Sequence, residues 1–274
     1  MANSSQTDPN PDAGPAPTWF ERHAEQPLYR VPDLGNRGDT LLQVLLVIFG
    51  ALALQLVLVS VGVGLLSGVG VTEDSAPVAF LSSVQALGLL GFLVMGLAYL
   101  RWRDDPTLVG IRRPTGHDIR VMLVGFIALA GLVFAAEFLF ELLGFDLADN
   151  EAVDQGRQHP ELFLAFIPIQ FLVTGPAEEL LFRGVVQGLL RRTYGVIPGI
   201  ALASALFSLA HYSALIGGGD VLPVFFILFL SGAVLGAVYE YSRTLVVPVL
   251  THALWNAFVF GGQYLAVADP LLTG

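Results

Sequence analysis

The sequence predicts an all-α fold, a polytopic bundle of about seven transmembrane helices. Two observations favour this fold class. Hydrophobic residues make up 54% of the 274 residues and charged residues only 13%, whereas about a quarter of the residues in soluble domains are charged. The apolar residues also form several runs of the roughly 20 residues that a helix needs to cross a bilayer. We therefore expect one multi-span membrane domain.

The individual spans follow from the apolar runs and from the charged or Pro- and Gly-rich segments that separate them. In chain order the predicted spans cover residues 41–69, 76–100, 120–144, 161–191, 195–217, 221–242 and 244–268. The fourth run is longer than a bilayer requires and contains Pro168, Gly175 and Pro176. Of the seven spans this is the one most prone to break in two, and such a break would raise the count from seven to eight.

The segment before the first span, residues 1–40, is predicted to be a disordered cytosolic tail. It contains acidic residues and several prolines, among them Pro9, Pro11, Pro15 and Pro17. It lacks the apolar core that a cleaved signal peptide needs. The helical domain is then predicted to cover residues 41–270.

Arginine distribution orients the spans, because short loops rich in positive charge stay in the cytoplasm. The arginine clusters are Arg22, Arg30 and Arg37, then Arg101, Arg103, Arg112, Arg113 and Arg120, then Arg191 and Arg192, and finally Arg243. The alternate loops carry acidic residues, namely Glu73, Asp74, Asp146, Asp149, Glu151, Asp154 and Asp220. All arginine clusters fall on one side if the N-terminus is cytoplasmic, which predicts a multi-pass protein of the cell membrane.

Composition also excludes several kinds of site. The chain has no Cys, which excludes disulfides, thiolate metal sites and a cysteine nucleophile. The net charge is −10, and no basic patch is large enough to bind nucleic acid. The expected partners are therefore the lipid bilayer and molecules associated with it.

The fourth span contains three ionisable residues, Glu178, Glu179 and Arg183. Facing lipid, they would together cost about 8 kcal/mol or more on insertion scales, so they are predicted to face the bundle interior. Arg183 follows Glu179 by four residues, the spacing of an ion pair on a helix, whereas Glu178 points about 100° away. One carboxylate is thus expected to be neutralised while Glu178 stays available for chemistry. A purely structural buried pair is the alternative.

Two histidines lie inside later spans, and each has a notable residue one helical turn away. Phe207 precedes His211 by four residues, and Asn256 follows His252 by four. At 1.5 Å per residue, Glu178, His211, His252 and Asn256 lie roughly 12 to 24 Å from the cytoplasmic ends of their helices. These similar depths predict that the four side chains line one cavity.

Such a cluster can hydrolyse an amide bond. We predict that Glu178 is the general base, that His211 holds the same water, and that His252 and Asn256 polarise the scissile carbonyl. No cofactor is required by these residues. A divalent metal such as zinc is an alternative, although catalytic zinc normally takes three protein ligands and the chain has no His-Glu-x-x-His helix.

The three groups of residues occur in a characteristic order. Glu178-Glu179-x-x-x-Arg183, Phe207-x-x-x-His211 and His252-x-x-x-Asn256 resemble the three motifs of the CAAX prenyl endopeptidase and bacteriocin self-immunity family of intramembrane proteases. The resemblance covers about residues 161–260. It implies an endopeptidase whose first Glu, two His and Asn line a cavity open to the cytosol, and whose type members remove the last three residues from prenylated CAAX proteins.

The resemblance predicts an intramembrane endopeptidase acting on a membrane-associated protein or peptide. One alternative is a non-catalytic scaffold or immunity protein that uses the same polar cluster for packing or partner binding. A second alternative is a proton or ion pathway, since intramembrane Glu and His also mark transporters. The chain lacks the paired inverted halves that many transporters have.

Overall fold

The computed structural model describes residues 28, 30, 34–105 and 107–268. These residues form a helical bundle, as the sequence predicts. The helices are α1 (Leu34–Gly68), α2 (Pro77–Arg103), α3 (Gly116–Leu142), α4 (Glu151–Gln158), α5 (Glu161–Tyr194), α6 (Val196–Ala210), α7 (Val221–Ser242) and α8 (Val246–Ala268). A 3₁₀ turn, His211–Ala214, continues α6, and two short strands, β1 (Asp149–Asn150) and β2 (Leu215–Ile216), pair antiparallel.

Six of the described helices are long and apolar enough to cross a membrane: α1, α2, α3, α5, α6 with its 3₁₀ turn, and α7. The protein is therefore a multi-pass membrane bundle. The seventh predicted span corresponds to α8, which has 23 residues but contains His252, Asn256 and Gln263, and these polar residues lower its hydropathy. The count of seven spans stays a prediction.

Helix α5 does not break in two as the sequence suggested. It runs through 34 residues and instead widens to π-helix at Gln170–Thr174 and Leu180–Gln187. The first widening directly precedes Pro176, which has no N–H to donate and whose ring displaces the preceding turn. The helix keeps its path by switching hydrogen-bond partners, so the backbone N–H of Gly175 bonds to the carbonyl of Gln170. Such π segments are frequent at functional sites.

The core of the bundle lies around α5. This helix contacts α1, α2, α4, α6, α7 and α8. In its most apolar stretch 50% of the residues are buried, compared with 17–39% in the other candidate spans. Phe182 packs edge to face against Phe92 of α2 and Phe207 of α6. Polar residues of α5 are therefore shielded from lipid by the surrounding helices.

The loops meet on two opposite faces. On the first, which we call the arginine face, Arg112 bonds to Asp118 and to the carbonyl of Ser242, while Arg192 pairs with Asp105. On the second, the acidic face, the backbone of Asp146 bonds to Asp220, and β1 pairs with β2. This segregation agrees with the charge pattern of the sequence. Which face is cytoplasmic stays a prediction.

The start of the first helix differs from the sequence expectation. Most of the predicted tail lies outside the described residues, but α1 begins at Leu34, so residues 34–40 are helical. Thr40 is hydrogen-bonded to Thr193 at the end of α5. Leu28 and Arg30 bond through their backbones to Ile197 and Tyr194. These contacts attach the start of the chain to the arginine face, a long-range effect that local composition does not reveal.

Candidate active site

Three of the predicted site residues, Glu178, His211 and His252, converge where α5, α6 and α8 meet. Oε2 of Glu178 on α5 lies 3.8 Å from Nε2 of His211 at the end of α6 and 3.9 Å from Nε2 of His252 on α8. Glu178 is buried, with 6% of its surface exposed, and no described group forms a hydrogen bond with its Oε2. One carboxylate oxygen thus faces two imidazoles at a distance that leaves it available to a third molecule.

Glu179 has a different environment from its neighbour. Its Oε2 accepts a hydrogen bond from Nε of Arg183 at 3.1 Å, which is the i, i+4 pair that the spacing predicts. Its other oxygen, Oε1, lies 2.9 Å from Nδ1 of His252, a contact that the sequence did not indicate. Glu179 and Arg183 are both fully buried. The second carboxylate therefore neutralises the arginine and also orients one of the histidines.

The ring of His211 is fixed by the backbone. Its Nδ1 lies 2.8 Å from the carbonyl oxygen of Phe207, one turn earlier in α6. Because a carbonyl only accepts hydrogen bonds, Nδ1 carries a proton, and Nε2 is the ring nitrogen that faces Glu178. His252 differs, because its Nδ1 faces a carboxylate.

Phe207 lies at the centre of this arrangement. Its ring centre is 4.4 Å from that of His211 and 6.2 Å from that of His252, and Cζ of Arg183 lies 4.9 Å above it. The ring face interacts favourably with the guanidinium, whose two terminal nitrogens have no hydrogen-bond partner among the described residues. Phe207 thus packs both histidines and stabilises the buried cation.

Asn256 lies one turn beyond His252 on α8. Its Nδ2 donates a hydrogen bond to Oε1 of Gln170 at 2.9 Å, and Nε2 of Gln170 donates to the carbonyl of Phe166. Sequence reasoning missed Gln170. The signal was present, since Gln170, Thr174 and Glu178 follow one another at intervals of four residues and all three are buried in the structure.

A small residue allows α5 and α8 to approach this closely. Gly175 lies between the Gln170–Asn256 and Glu179–His252 contacts, and a Cβ built on it would lie 2.9 Å from the carbonyl oxygen of Gln170 and 3.0 Å from that of Val249. Both obstacles are backbone atoms, which cannot rotate away. Glycine at position 175 therefore allows α5 and α8 to lie close enough for the Gln170–Asn256 and Glu179–His252 contacts to form.

The side chains of the site bear on whether a catalytic metal could bind there. No group of three or more His, Asp or Glu residues in the described part of the chain is arranged to hold a metal ion. The Nδ1 atoms of His211 and His252 are engaged by Phe207 and Glu179. Zinc in a catalytic site normally has three protein ligands. The reaction proposed for this protein uses side chains and water.

The fold and the cluster define a class of protein, a multi-pass helical membrane protein with a buried Glu–His site between its helices. One protein family has a model that matches part of this chain. Residues 160–258 match the family model described as type II CAAX prenyl endopeptidase Rce1-like. The matched region spans all of α5, α6 and α7 and the cluster-bearing part of α8, and the matched family is one of proteases. The resemblance noted from the motifs is thereby confirmed. Comparisons with curated proteins and with solved structures give no match to this chain.

Proposed function

We propose that the protein is an intramembrane endopeptidase that cleaves a peptide bond of a membrane-associated substrate with a water molecule activated by Glu178. One observation carries this proposal, the position of the Glu178 Oε2 atom 3.8 Å from the Nε2 atom of His211 and 3.9 Å from that of His252. A water about 2.8 Å from both Glu178 and His211 would donate one hydrogen to each acceptor. Its lone pair would then be free to attack a carbonyl carbon.

The roles of the other side chains follow from their partners. Nδ1 of His252 donates to Glu179, so Nε2 can donate to the substrate oxygen only when the ring carries two protons. Two carboxylates flank that ring, and with Glu178, Glu179, Arg183 and His252 all ionised the four charges sum to zero. This balance favours a cationic His252 beside the developing oxyanion, with the amide of Asn256 as a second donor.

The proposed reaction then balances without a cofactor. Water attacks the scissile carbonyl carbon while Glu178 takes one of its protons, which gives a tetrahedral oxyanion bound by His252 and Asn256. As the carbon–nitrogen bond breaks, the proton on Glu178 passes to the leaving nitrogen. The products are a carboxylic acid and an amine, and Glu178 is again a carboxylate.

The location of the site restricts the class of substrate. Because the cluster lies between membrane-spanning helices, the scissile bond must come from a protein or peptide held at the bilayer. We place the protein in the cell membrane with its arginine face and N-terminus in the cytoplasm, which is the orientation that the charge pattern favours.

The test uses purified protein in liposomes with two fluorescent substrates, a prenylated CAAX peptide and an unmodified transmembrane peptide. Cleavage of either one by the wild type, reduced by about 10² or more in Glu178→Gln, supports the proposal. The matched control is Glu137→Gln, which changes an exposed carboxyl of α3 and leaves cleavage unchanged. Equal cleavage by the wild type and Glu178→Gln contradicts the proposal. The substrate that is cleaved shows whether prenylation is required.

A further inference from the structure

Gln170 is hydrogen-bonded to Asn256, the residue that we expect to bind the oxyanion. Neither the motifs nor the spacing of the histidines indicated Gln170. Gln170 is 1% exposed in a membrane-spanning helix, where an unpaired amide is costly. Its two amide ends are both used, since Oε1 accepts from Asn256 and Nε2 donates to the carbonyl of Phe166. The amide of Gln170 is therefore held in one orientation.

This orientation determines that of Asn256. A side-chain amide carries two N–H groups on one nitrogen. When one of them donates to Gln170 at 2.9 Å, the plane of the Asn256 amide is fixed, and the second N–H is directed to one side of α8. Without an acceptor at position 170, rotation about the last side-chain torsion of Asn256 exchanges its donor and acceptor ends at little cost.

The backbone of α5 contributes to the same contact. Gln170 begins the first π segment, and its carbonyl accepts the bond from the N–H of Gly175, which lies against α8. The widened turn and the close helix approach thus occur at the residue that bonds to Asn256. Preorganised donors contribute most to an oxyanion site because they need no reorientation during the reaction.

We infer that Gln170 is a positioning residue, which acts through Asn256 by holding its amide so that the free N–H faces the oxyanion of the transition state. The inference rests on the proposed function and deepens it. Because Gln170 makes no contact with the substrate in this scheme, a substitution that removes its amide lowers kcat and leaves KM unchanged.

A double-mutant cycle tests this role. Gln170→Met removes the acceptor at similar volume and lowers kcat by about tenfold. In an Asn256→Ala background the same change has no further effect, because the group on which Gln170 acts is gone. Gln170→Glu, which keeps an acceptor oxygen, retains more activity than Gln170→Met. An unchanged kcat in Gln170→Met, or an equal loss in both backgrounds, overturns the inference.

The control is another buried glutamine of the same helix. Gln187 is fully buried and bonds to Glu240 and to the carbonyl of Gly236 of α7. Gln187→Met removes a comparable buried amide away from the site, and we expect a lower thermal stability in detergent with an unchanged kcat. If Gln187→Met lowers kcat as much as Gln170→Met, the role of Gln170 is merely structural.

A second measurement separates this inference from the proposed function. In protein labelled with ¹⁵N-asparagine, the side-chain amide protons of Asn256 exchange slowly in the wild type and rapidly in Gln170→Met. If no peptide is cleaved by the wild type, the proposed function fails, and the exchange rate still decides whether Gln170 holds Asn256. Equal exchange rates in the two proteins overturn the inference whatever the activity.

Discussion

Oε1 of Glu179 lies 2.9 Å from Nδ1 of His252, so a carboxylate of α5 orients an imidazole of α8 across the helix interface. The same carboxylate pairs with Arg183. Glu179 therefore has two functions that can be separated, balance of a buried cation and orientation of a site histidine. A carboxylate that bonds to one ring nitrogen fixes which way the other nitrogen points.

A charge-removing substitution at Glu179 should affect both functions. Glu179→Gln leaves Arg183 as an uncompensated buried cation, and breaking such a pair typically costs about 3 to 5 kcal/mol. We expect a large decrease in the thermal unfolding temperature in detergent and a loss of cleavage.

The double variant Glu179→Gln/Arg183→Met separates the two effects. Removing both charges should restore much of the stability, since a buried pair can often be replaced by apolar groups. Cleavage should stay low, because His252 still lacks its carboxylate partner. Wild-type cleavage by the double variant would show that Glu179 serves only to balance Arg183.

The close approach at Gly175 gives a steric prediction. In Gly175→Ala the new Cβ lies 2.9 Å from the carbonyl oxygen of Gln170 on α5 itself and 3.0 Å from that of Val249 on α8. The contact with Val249 forces α5 and α8 apart. We expect cleavage to fall by about tenfold, since displacements of about 1 Å at a site have effects of this order or larger. Peptide cleavage in liposomes measures the effect.

Two glycines in open surroundings provide the comparison. A Cβ added at Gly64 or Gly131 has no neighbour within 4 Å, so Gly64→Ala and Gly131→Ala should leave activity unchanged and stabilise their helices slightly. A loss of activity as large in these variants as in Gly175→Ala would mean that helix spacing at the site is not the cause.

Chelation tests the metal-free chemistry. Because the proposed reaction uses only side chains and water, we expect full activity after incubation with 1,10-phenanthroline and dialysis. Metal analysis of the active protein should find less than one equivalent. Inactivation that added zinc reverses would contradict this prediction and would make Glu178, His211 and His252 candidate ligands.

Membrane orientation can be measured directly because the chain has no Cys. Ile111 lies in the loop between α2 and α3 on the arginine face and is 72% exposed, while Leu143 follows α3 toward the acidic face and is 62% exposed. In intact cells an impermeant maleimide should label Leu143→Cys, and Ile111→Cys only after permeabilisation. The opposite pattern would place the N-terminus outside the cytoplasm.

Local patterns predicted much of the architecture. Runs of apolar residues identified the helices, because the bilayer requires a minimum length of them, and alternating charge assigned the loops to two faces. The pairing of Glu179 with Arg183 followed from helix periodicity alone. The start of α1 at Leu34 could not be predicted from local patterns, because contacts such as that of Thr40 with Thr193 join residues far apart in the chain.

The site was predicted less completely than the helices. The residue types and their order indicated Glu178, His211, His252 and Asn256, and the structure brings the first three face to face. The sequence did not indicate that His252 bonds to Glu179 or that Asn256 bonds to Gln170. Both bonds cross between α5 and α8, and their register depends on the π segment before Pro176 and on the space at Gly175.

The sequence by itself determined that the chain is a membrane bundle, which loops share a face, and which polar side chains cannot face lipid. These properties depend on composition and on the 3.6-residue period of a helix, and both can be read from a single segment. Only the tertiary structure decided which polar group meets which, because that depends on how far two distant helices are rotated and shifted against each other. A shift of one residue in α8 would separate His252 from Glu179 without any change in its apolar pattern.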